Sequence, residues 1–283
     1  MTTTTAPALS GVTFGGILVS EWIKLRSLRS TVWCYIILIV ITVALAPLLS
    51  LLVASEGSQP GMVLDYASSQ ATAAQMATSS IGFSQLVVSV LGALVITGEY
   101  GTGMIRSTLS AVPKRLPALF GKAAVFAVVT FVVSFVALAV SLLVSLPVLA
   151  GGDIVVDLGD AQLWLTILGA AGYLAGIGLF SLAIGAIVRN SAGGIASALG
   201  AILVLPSIVG IFALVSQAEW AGNIGNFLPS NAGARLYAYP VEAFVDPLAV
   251  VTPLEPWQGG LVLLVWIATL FVLASVLLKR RDA

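Results

Sequence analysis

The stretch AAVFAVVTFVVSFVALAVSLLVSLPVL, residues 123–149, carries no charged side chain and decides the fold class. An α-helix rises 1.5 Å per residue, so about 20 apolar residues cross a hydrocarbon layer of about 30 Å. Five more uncharged stretches of similar character occur at 31–53, 79–98, 163–188, 192–215 and 259–278. The sequence therefore predicts an all-α integral membrane protein with six transmembrane helices.

The composition limits the possible functions. Of the 283 residues, 59% are hydrophobic and 8% are charged, against about 25% charged residues in soluble domains. A protein that moves ions by itself usually carries ionisable groups at mid-depth, but these stretches have none and the chain has no histidine. A gradient-driven carrier is therefore disfavoured, and energy for any transport would come from another polypeptide.

The sequence contains no recognisable catalytic, metal or cofactor signature. It lacks a G-x-x-x-x-G-K-[ST] phosphate loop and a Cys/His cluster. The single Cys34 cannot form an intrachain disulfide, and without histidine no Ser-His or Cys-His pair is possible. We expect the chain not to be an enzyme and to bind no cofactor itself.

The distribution of Lys and Arg predicts the orientation. With both termini in the cytoplasm, every Lys and Arg except Arg235 lies on the cytoplasmic side. We expect a multi-pass protein of the cell membrane that forms one transmembrane domain over 1–283. Its parts would be a disordered segment (1–12), an interfacial helix (13–30), the six-helix region (31–278) and a cytoplasmic tail (279–283).

Residues 13–30, TFGGILVSEWIKLRSLRS, predict an amphipathic helix in the cytoplasmic interface. At 100° per residue, the apolar side chains share one arc, with Trp22 at headgroup depth and Lys24 on the flank. Glu21 projects into this apolar arc. It is either solvated on a slightly rotated helix, or it faces protein and pairs with a cation.

Residues 98–122, GEYGTGMIRSTLSAVPKRLPALFGK, separate the second and third spans. Glu99 closes the second span, Gly103 permits a turn, residues 104–111 suit a short helix and Pro113 ends it. A short helix held crosswise between two spans acts as a lever. The alternative is a basic loop that only sets topology, although topology requires neither the acid nor the glycines.

Three other segments predict local structure. Residues 68–80, SSQATAAQMATSS, suit a helix that extends the second span outward. The fourth and fifth spans flank a short turn at 189–191 and are rich in small residues, which allow close packing within the chain or at a subunit interface. Residues 216–258 combine five prolines with aromatic side chains and predict short re-entrant helices on the external side before the sixth span.

Four segments resemble the permease subunits of type-2 ATP-binding-cassette (ABC) transporters. They are SEWIKLRSLRSTVW (20–33), GEYGTGMIRSTLSAVPKR (98–115), IGAIVRNSAGGIA (184–196) and LPSNAG (228–233). Their order and spacing extend the resemblance over nearly the whole chain. One departure is Gly103-Met104, where many members have a Gly-Thr pair.

The resemblance implies partners and roles. Two permease subunits, as a homodimer or a heterodimer with a similar permease, would sit in membrane lipid and pair with two ATPase subunits that bind ATP and Mg, with no nucleic-acid partner. The helix between the second and third spans would be the coupling helix, and the interfacial helix (Glu21, Trp22 and Lys24) would lie beside the ATPase. The coupling residues would be Glu99, Gly103, Met104, Ile105, Arg106, Thr108, Leu109, Pro113, Arg115, Arg189 and Asn190.

The substrate is less well defined by the sequence. Polar groups at membrane depth are few and neutral, and Gln85, Ser89 and Ser197 are candidates for a path along the first, second and fifth spans. Such a lining suits a lipid, a drug or an amphipathic peptide, and the resemblance favours export. The alternative function is a non-transporting membrane scaffold or toxin-immunity protein, which would not need a lever.

Overall fold

The computed structural model describes residues 13–57, 65–105, 115–216, 219–240 and 254–280, and these contain helices and no strand. Within them, six helical segments are long and apolar enough to cross a membrane. They are Arg29–Ser55, Tyr66–Gly101, Leu116–Ala150, Ala161–Val188, Ser191–Ser216 and Pro256–Arg280. The prediction of an all-α protein with six transmembrane helices is confirmed.

The helices follow the order of the predicted segments. They are α1 (Phe14–Ser27), α2 (Arg29–Gly57), α3 (Tyr66–Thr78), α4 (Ile81–Gly101), α5 (Leu116–Ala150), α6 (Ala161–Val188), α7 (Ser191–Leu199), a π-helical segment (Gly200–Val204), α8 (Leu205–Ser216), α9 (Glu219–Asn226), α10 (Pro229–Ala234) with a 3₁₀ turn (Arg235–Tyr237), and α11 (Pro256–Arg280).

Side-chain caps set several helix starts. Thr13 accepts a hydrogen bond from the backbone N–H of Gly16 at 3.2 Å, and Asp65 accepts one from Ser68 at 3.1 Å. The polar stretch before the second span forms α3, as predicted, and a two-residue turn joins α3 to α4. The extended backbone of Leu28 ends α1 directly before α2.

Helix α6 lies at the centre of the bundle and contacts α3, α4, α5, α7, α10 and α11. Glycine residues, which have no side chain, let neighbouring helices approach α6 closely. A Cβ atom on Gly92 of α4 would lie 2.3 Å from the carbonyl oxygen of Gly178, and a Cβ on Gly194 of α7 would lie 3.4 Å from the Cα of Gly185. Gly185 and Gly194 therefore serve packing within the chain, the first of the two alternatives.

The fifth span lies at the edge of the described bundle. Helix α8 has no buried residue, and its apolar side chains are exposed, including Ile208, Ile211, Phe212 and Leu214. The π-helical segment precedes it and ends two residues before Pro206. In a membrane protein, an exposed apolar face of this kind contacts lipid or other protein.

Short helices α9 and α10 occupy part of the proline-rich segment before the sixth span. Helix α9 packs on α8, and α10 packs along α11. The indole Nε1 of Trp266 in α11 donates a hydrogen bond to the carbonyl of Phe227, directly after α9, at 2.9 Å. A Cβ on Gly259 would lie 2.2 Å from the carbonyl oxygen of Ala232. Residues 241–253 lie outside the described part, and the re-entrant position of the helices stays a prediction.

Candidate functional site

The buried face of α1 runs through an acidic residue. Ile17, Glu21 and Leu25 are spaced four residues apart, so they share one face, and all three are buried. This face packs on α5, where Gly121 leaves room for the Ile17 side chain. Trp22 is 47% exposed and lies outside this face. The apolar arc predicted for α1 is thus divided between the protein and its surroundings.

Glu21 is paired, and the solvated alternative is wrong. Its carboxylate accepts hydrogen bonds from the ammonium of Lys122 at 2.5 Å and from that of Lys24 at 2.7 Å. The residue is 2% exposed. A carboxylate so deeply buried needs such partners, because an unpaired buried charge is costly.

Glu99 at the end of α4 completes the arrangement. Its Oε1 accepts a hydrogen bond from Lys122 at 2.8 Å and another from Lys24 at 3.0 Å. Glu21, Lys24, Glu99 and Lys122, the four-charge cluster, thus join α1, α4 and α5. Its two carboxylates and two ammonium groups balance in charge, so each charged group has an adjacent counter-ion.

Exposure differs between the two lysines of the cluster. The Lys122 side chain is 5% exposed, whereas that of Lys24 is 25% exposed. Burial lowers the pKa of the Lys24 ammonium, but its hydrogen bonds and charge interactions with Glu21 and Glu99 outweigh burial, and the net pKa lies above the ordinary value of 10.5. Lys24 therefore stays charged at neutral pH.

Lys122 is the member of the cluster that the predicted site residues omit. It lies two turns inside the third span, on the same side of the membrane as Glu99 at the end of the second. Lys122 follows Gly121 and is the only Lys or Arg within the helical range of the third span, Leu116–Ala150. This isolated cation is the signal that sequence reasoning could have used. A lysine buried at the end of a span needs a carboxylate partner, and Glu99, at the end of the second span, could have been predicted as that partner.

Two predicted ATPase contacts, Arg115 and Arg189, bind the last turn of α11. Arg115 Nη1 donates to the carbonyl of Leu278 at 3.1 Å, and Arg189 Nη2 donates to the carbonyl of Leu277 at 3.2 Å. The Arg189 guanidinium also lies 5.3 Å from the ring centroid of Tyr100. We call Arg115 and Arg189 the arginine clamp. Any role in contacting an ATPase stays a prediction.

The segment between α4 and α5 is described only at its ends. Gly103 has φ of 73°, a left-handed conformation that glycine adopts without strain, at the predicted turn. Ile105 is buried, and Met104 is 38% exposed. The other predicted coupling residues, Arg106, Thr108, Leu109 and Pro113, lie outside the described residues, so the short helix over 104–111 is untested.

The short turn between α6 and α7 is built by local hydrogen bonds. Arg189 adopts a left-handed conformation with φ of 59°, and its N–H donates to the carbonyl of Gly185. The side chain of Asn190 caps α7 by accepting from the N–H of Gly193 at 2.9 Å. These bonds fix the turn beside the C-terminal end of α11.

A small cavity, with room for about one water molecule, lies between the four-charge cluster and the arginine clamp. Glu99 and Lys122 line it on one side, Arg115 and Leu278 on the other. The second oxygen of the Glu99 carboxylate is buried and has no hydrogen-bond partner among the described residues. The cavity lies where the ends of α4, α5 and α11 meet.

Two of the three candidate path residues hold helices together. Ser89 is buried and shares a hydrogen bond of 2.8 Å with Ser181, and Gln85 accepts one from the hydroxyl of Tyr173. Both contacts join α4 to α6. Ser197 is exposed on α7. A substrate role for these residues stays a prediction.

The site has no constellation for metal binding within the described ranges, where no group of three or more His, Cys, Asp or Glu could hold an ion. Its chemistry is that of ion pairs and helix-end hydrogen bonds. Such groups join structural elements, and here they lie together at one end of the bundle.

Comparison with known proteins identifies the family. No protein with a curated description matches the chain. A family model described as ABC-2 family transporter protein matches residues 17–199, which include α1, the four-charge cluster, the arginine clamp and the turn at 189–191. Since the match covers more than half of the 283 residues, this chain belongs to the ABC-2 family of transporter proteins.

Proposed function

We propose that this ABC transporter membrane subunit is the permease of an ATP-driven exporter. It would move an apolar or amphipathic substrate, a lipid, drug or peptide, across the cytoplasmic membrane by alternating access. Two copies of an ABC ATPase would supply the energy and bind ATP and Mg, and two permease chains, identical or related, would form the path. Both termini would be cytoplasmic, because nearly all Lys and Arg then lie inside.

The observation that carries the proposal is the four-charge cluster. It joins α1 to the ends of α4 and α5, the two helices that flank the segment 102–115. A force applied to that segment or to α1 would be shared by all three elements. A protein that only scaffolds partners has no use for such a connection.

A mechanism follows from the rigidity of this connection. Closure of the ATPase dimer would displace α1 and the coupling segment together, and the cluster would keep the second turn of α5 and the last turn of α4 in register with them. Because the cluster is buried, its ion pairs are screened little by salt and resist separation.

The substrate class is proposed from the spans. Their middle regions lack charges, and the exposed side chains of the fifth span are apolar apart from isolated serines such as Ser197 and Ser207. A path built from such surfaces suits a molecule with a large apolar part, because it offers little to replace the water around an ion. Export rests on the family resemblance alone.

The test is reconstitution of the permease with an ABC ATPase encoded beside it. Vesicles would contain the complex and, in separate preparations, a fluorescent phospholipid, a hydrophobic dye or an amphipathic peptide. We expect ATP-dependent movement of at least one probe, absent with an ATPase variant that binds ATP without hydrolysing it. A permease that forms no complex with the ATPase would favour the scaffold or immunity alternative.

A further inference from the structure

We propose that α11 is a relay through which the two cytoplasmic turns set the position of the external helices α9 and α10. Arg115, Arg189 and Trp266 are then positioning residues. The part of this proposal in which ATP drives the relay rests on the proposed function. The mechanical connection itself is a property of this chain alone.

The cytoplasmic contact of the relay is the arginine clamp. The last carbonyls of an α-helix lack donors within the helix, and cations near them are favourable. Leu277 and Leu278 receive these donors from Arg115, just before α5, and from Arg189, just after α6. Two different turns therefore hold one helix end.

The sequence of α11 has no kink-forming residue beyond its N-terminal end. Helix α11 has 25 residues and so spans about 37 Å. Sharp kinks arise at proline, at glycine pairs and at π-helical segments. The only proline of α11 is its first residue, and Gly259 and Gly260 lie in its first turn or just after it. The remaining length of α11 moves as one body.

The external contacts of the relay are made to backbone carbonyls. Trp266 Nε1 donates to the carbonyl of Phe227 at 2.9 Å, directly after α9. The missing side chain of Gly259 lets the carbonyl of Ala232 in α10 approach the α11 backbone. Contacts to backbone leave little slack, because a backbone carbonyl cannot change rotamer. A displacement of α11 therefore displaces α10 directly and α9 through its end at Phe227.

The test uses the permease alone with a single reporter cysteine. Replacing Cys34 by alanine leaves a chain without cysteine, and Asn223→Cys places a thiol at an exposed position on α9. The measured quantity is the rate of labelling from the external side by a membrane-impermeant maleimide. The variants are R115Q together with R189Q, W266F, and the combination of both.

We expect the double arginine variant and W266F each to change the labelling rate by about fivefold or more, the lower range of coupling between sites. The combination should change it by much less than the product of the two effects. Residues 266 and 277 are separated by about 16 Å along α11, a distance at which independent substitutions act additively. Multiplicative effects, or an unchanged rate in the arginine variant, would overturn the relay, as would a reporter that is not accessible from outside.

Controls separate the relay from general loosening. R280Q removes an exposed cation from the same helix end and should leave the labelling rate unchanged. R115K with R189K keeps a donor at each position and should restore most of the parent rate. If the double arginine variant does not fold, the single variant R189Q, which removes only the clamp contact to Leu277, is combined with W266F in a second cycle with the same two interpretations.

A second arm adds the ATPase. In the complex, ATP should change the labelling rate of the parent, and the double arginine variant should lose this response while ATP hydrolysis continues. A parent that neither transports nor responds to ATP contradicts the proposed function, and the cycle on the permease alone still decides the relay. A parent that transports without any response of the reporter contradicts the relay only.

Discussion

Replacing Lys122 by methionine tests the four-charge cluster most sharply. Methionine keeps most of the apolar stem and removes the ammonium, which donates to Glu21 at 2.5 Å and to Glu99 at 2.8 Å. Breaking a buried ion pair by removing one partner costs about 3–5 kcal/mol. Lys24 still contacts both carboxylates, so we expect the lower end, about 3 kcal/mol.

The matched control is Lys24→Met. It removes the same two carboxylate contacts, at 2.7 and 3.0 Å, but from a lysine that is 25% exposed. Solvent screening reduces such contributions to about 1 kcal/mol or less. The structure therefore predicts that the two substitutions differ by about 2 kcal/mol although they break equivalent bonds.

The assay is thermal unfolding of the purified chain in detergent, with the ATPase complex assayed in parallel. A loss of about 3 kcal/mol lowers the midpoint by on the order of 5–10 °C, and Lys24→Met by a few degrees. We also expect Lys122→Met complexes to hydrolyse ATP without transport. Equal midpoints for the two variants would refute the reasoning that burial of Lys122 makes the cluster a rigid connection.

The other predictions concern different parts of the chain. Gly92→Ala places a Cβ 2.3 Å from a carbonyl oxygen of α6 and should lower the unfolding midpoint by several degrees. Gly82→Ala, which has open space around it, should leave the midpoint unchanged. Equal effects would contradict the close packing of α4 and α6. Because the folded pKa of Lys24 is raised, the stabilisation from its charge is fully present below the ordinary value of 10.5 and is lost only above it. The difference in free energy of unfolding between the parent and Lys24→Met should therefore stay constant from neutral pH up to that value. A decline within this range would argue against the pairing. Arg106→Ala and Ile105→Pro should each uncouple ATP hydrolysis from transport, and coupled transport in both would remove the lever hypothesis.

The spans were predictable because length and apolarity alone define them. A membrane-spanning helix must exclude charges from its middle and satisfy its own backbone, so residues 123–149 could hardly form anything else. The same reasoning predicted α3, since residues 68–80 contain good helix formers and no breaker. These features depend on local sequence and need no knowledge of neighbours.

The cluster was only partly predictable. A helical projection places Glu21 relative to other residues of α1, but it does not say which side of the helix meets protein, so both alternatives remained open. The pairing with Lys122 depends on how far α5 extends before entering the membrane and on its rotation against α4. Gly121, which admits Ile17, settles that register, and no pattern within a single helix contains this information.

Arg115 and Arg189 show another limit of sequence reasoning. Cations in cytoplasmic turns are ordinarily assigned to topology or to a partner, and we predicted ATPase contacts for both. Their hydrogen bonds to Leu278 and Leu277 arise because the sixth span, distant in sequence, ends between the two turns. The terminal carbonyls of α11 needed donors, but the sequence does not say which turn supplies them.

The central claim is that this chain is a passive path driven by a separate ATPase. The most direct measurement is movement of the three probes against a gradient in inside-out vesicles that contain the permease, the ATPase, or both. The account predicts uphill movement of at least one probe only when both proteins and ATP are present. Uphill movement by the permease alone, without nucleotide, would contradict it.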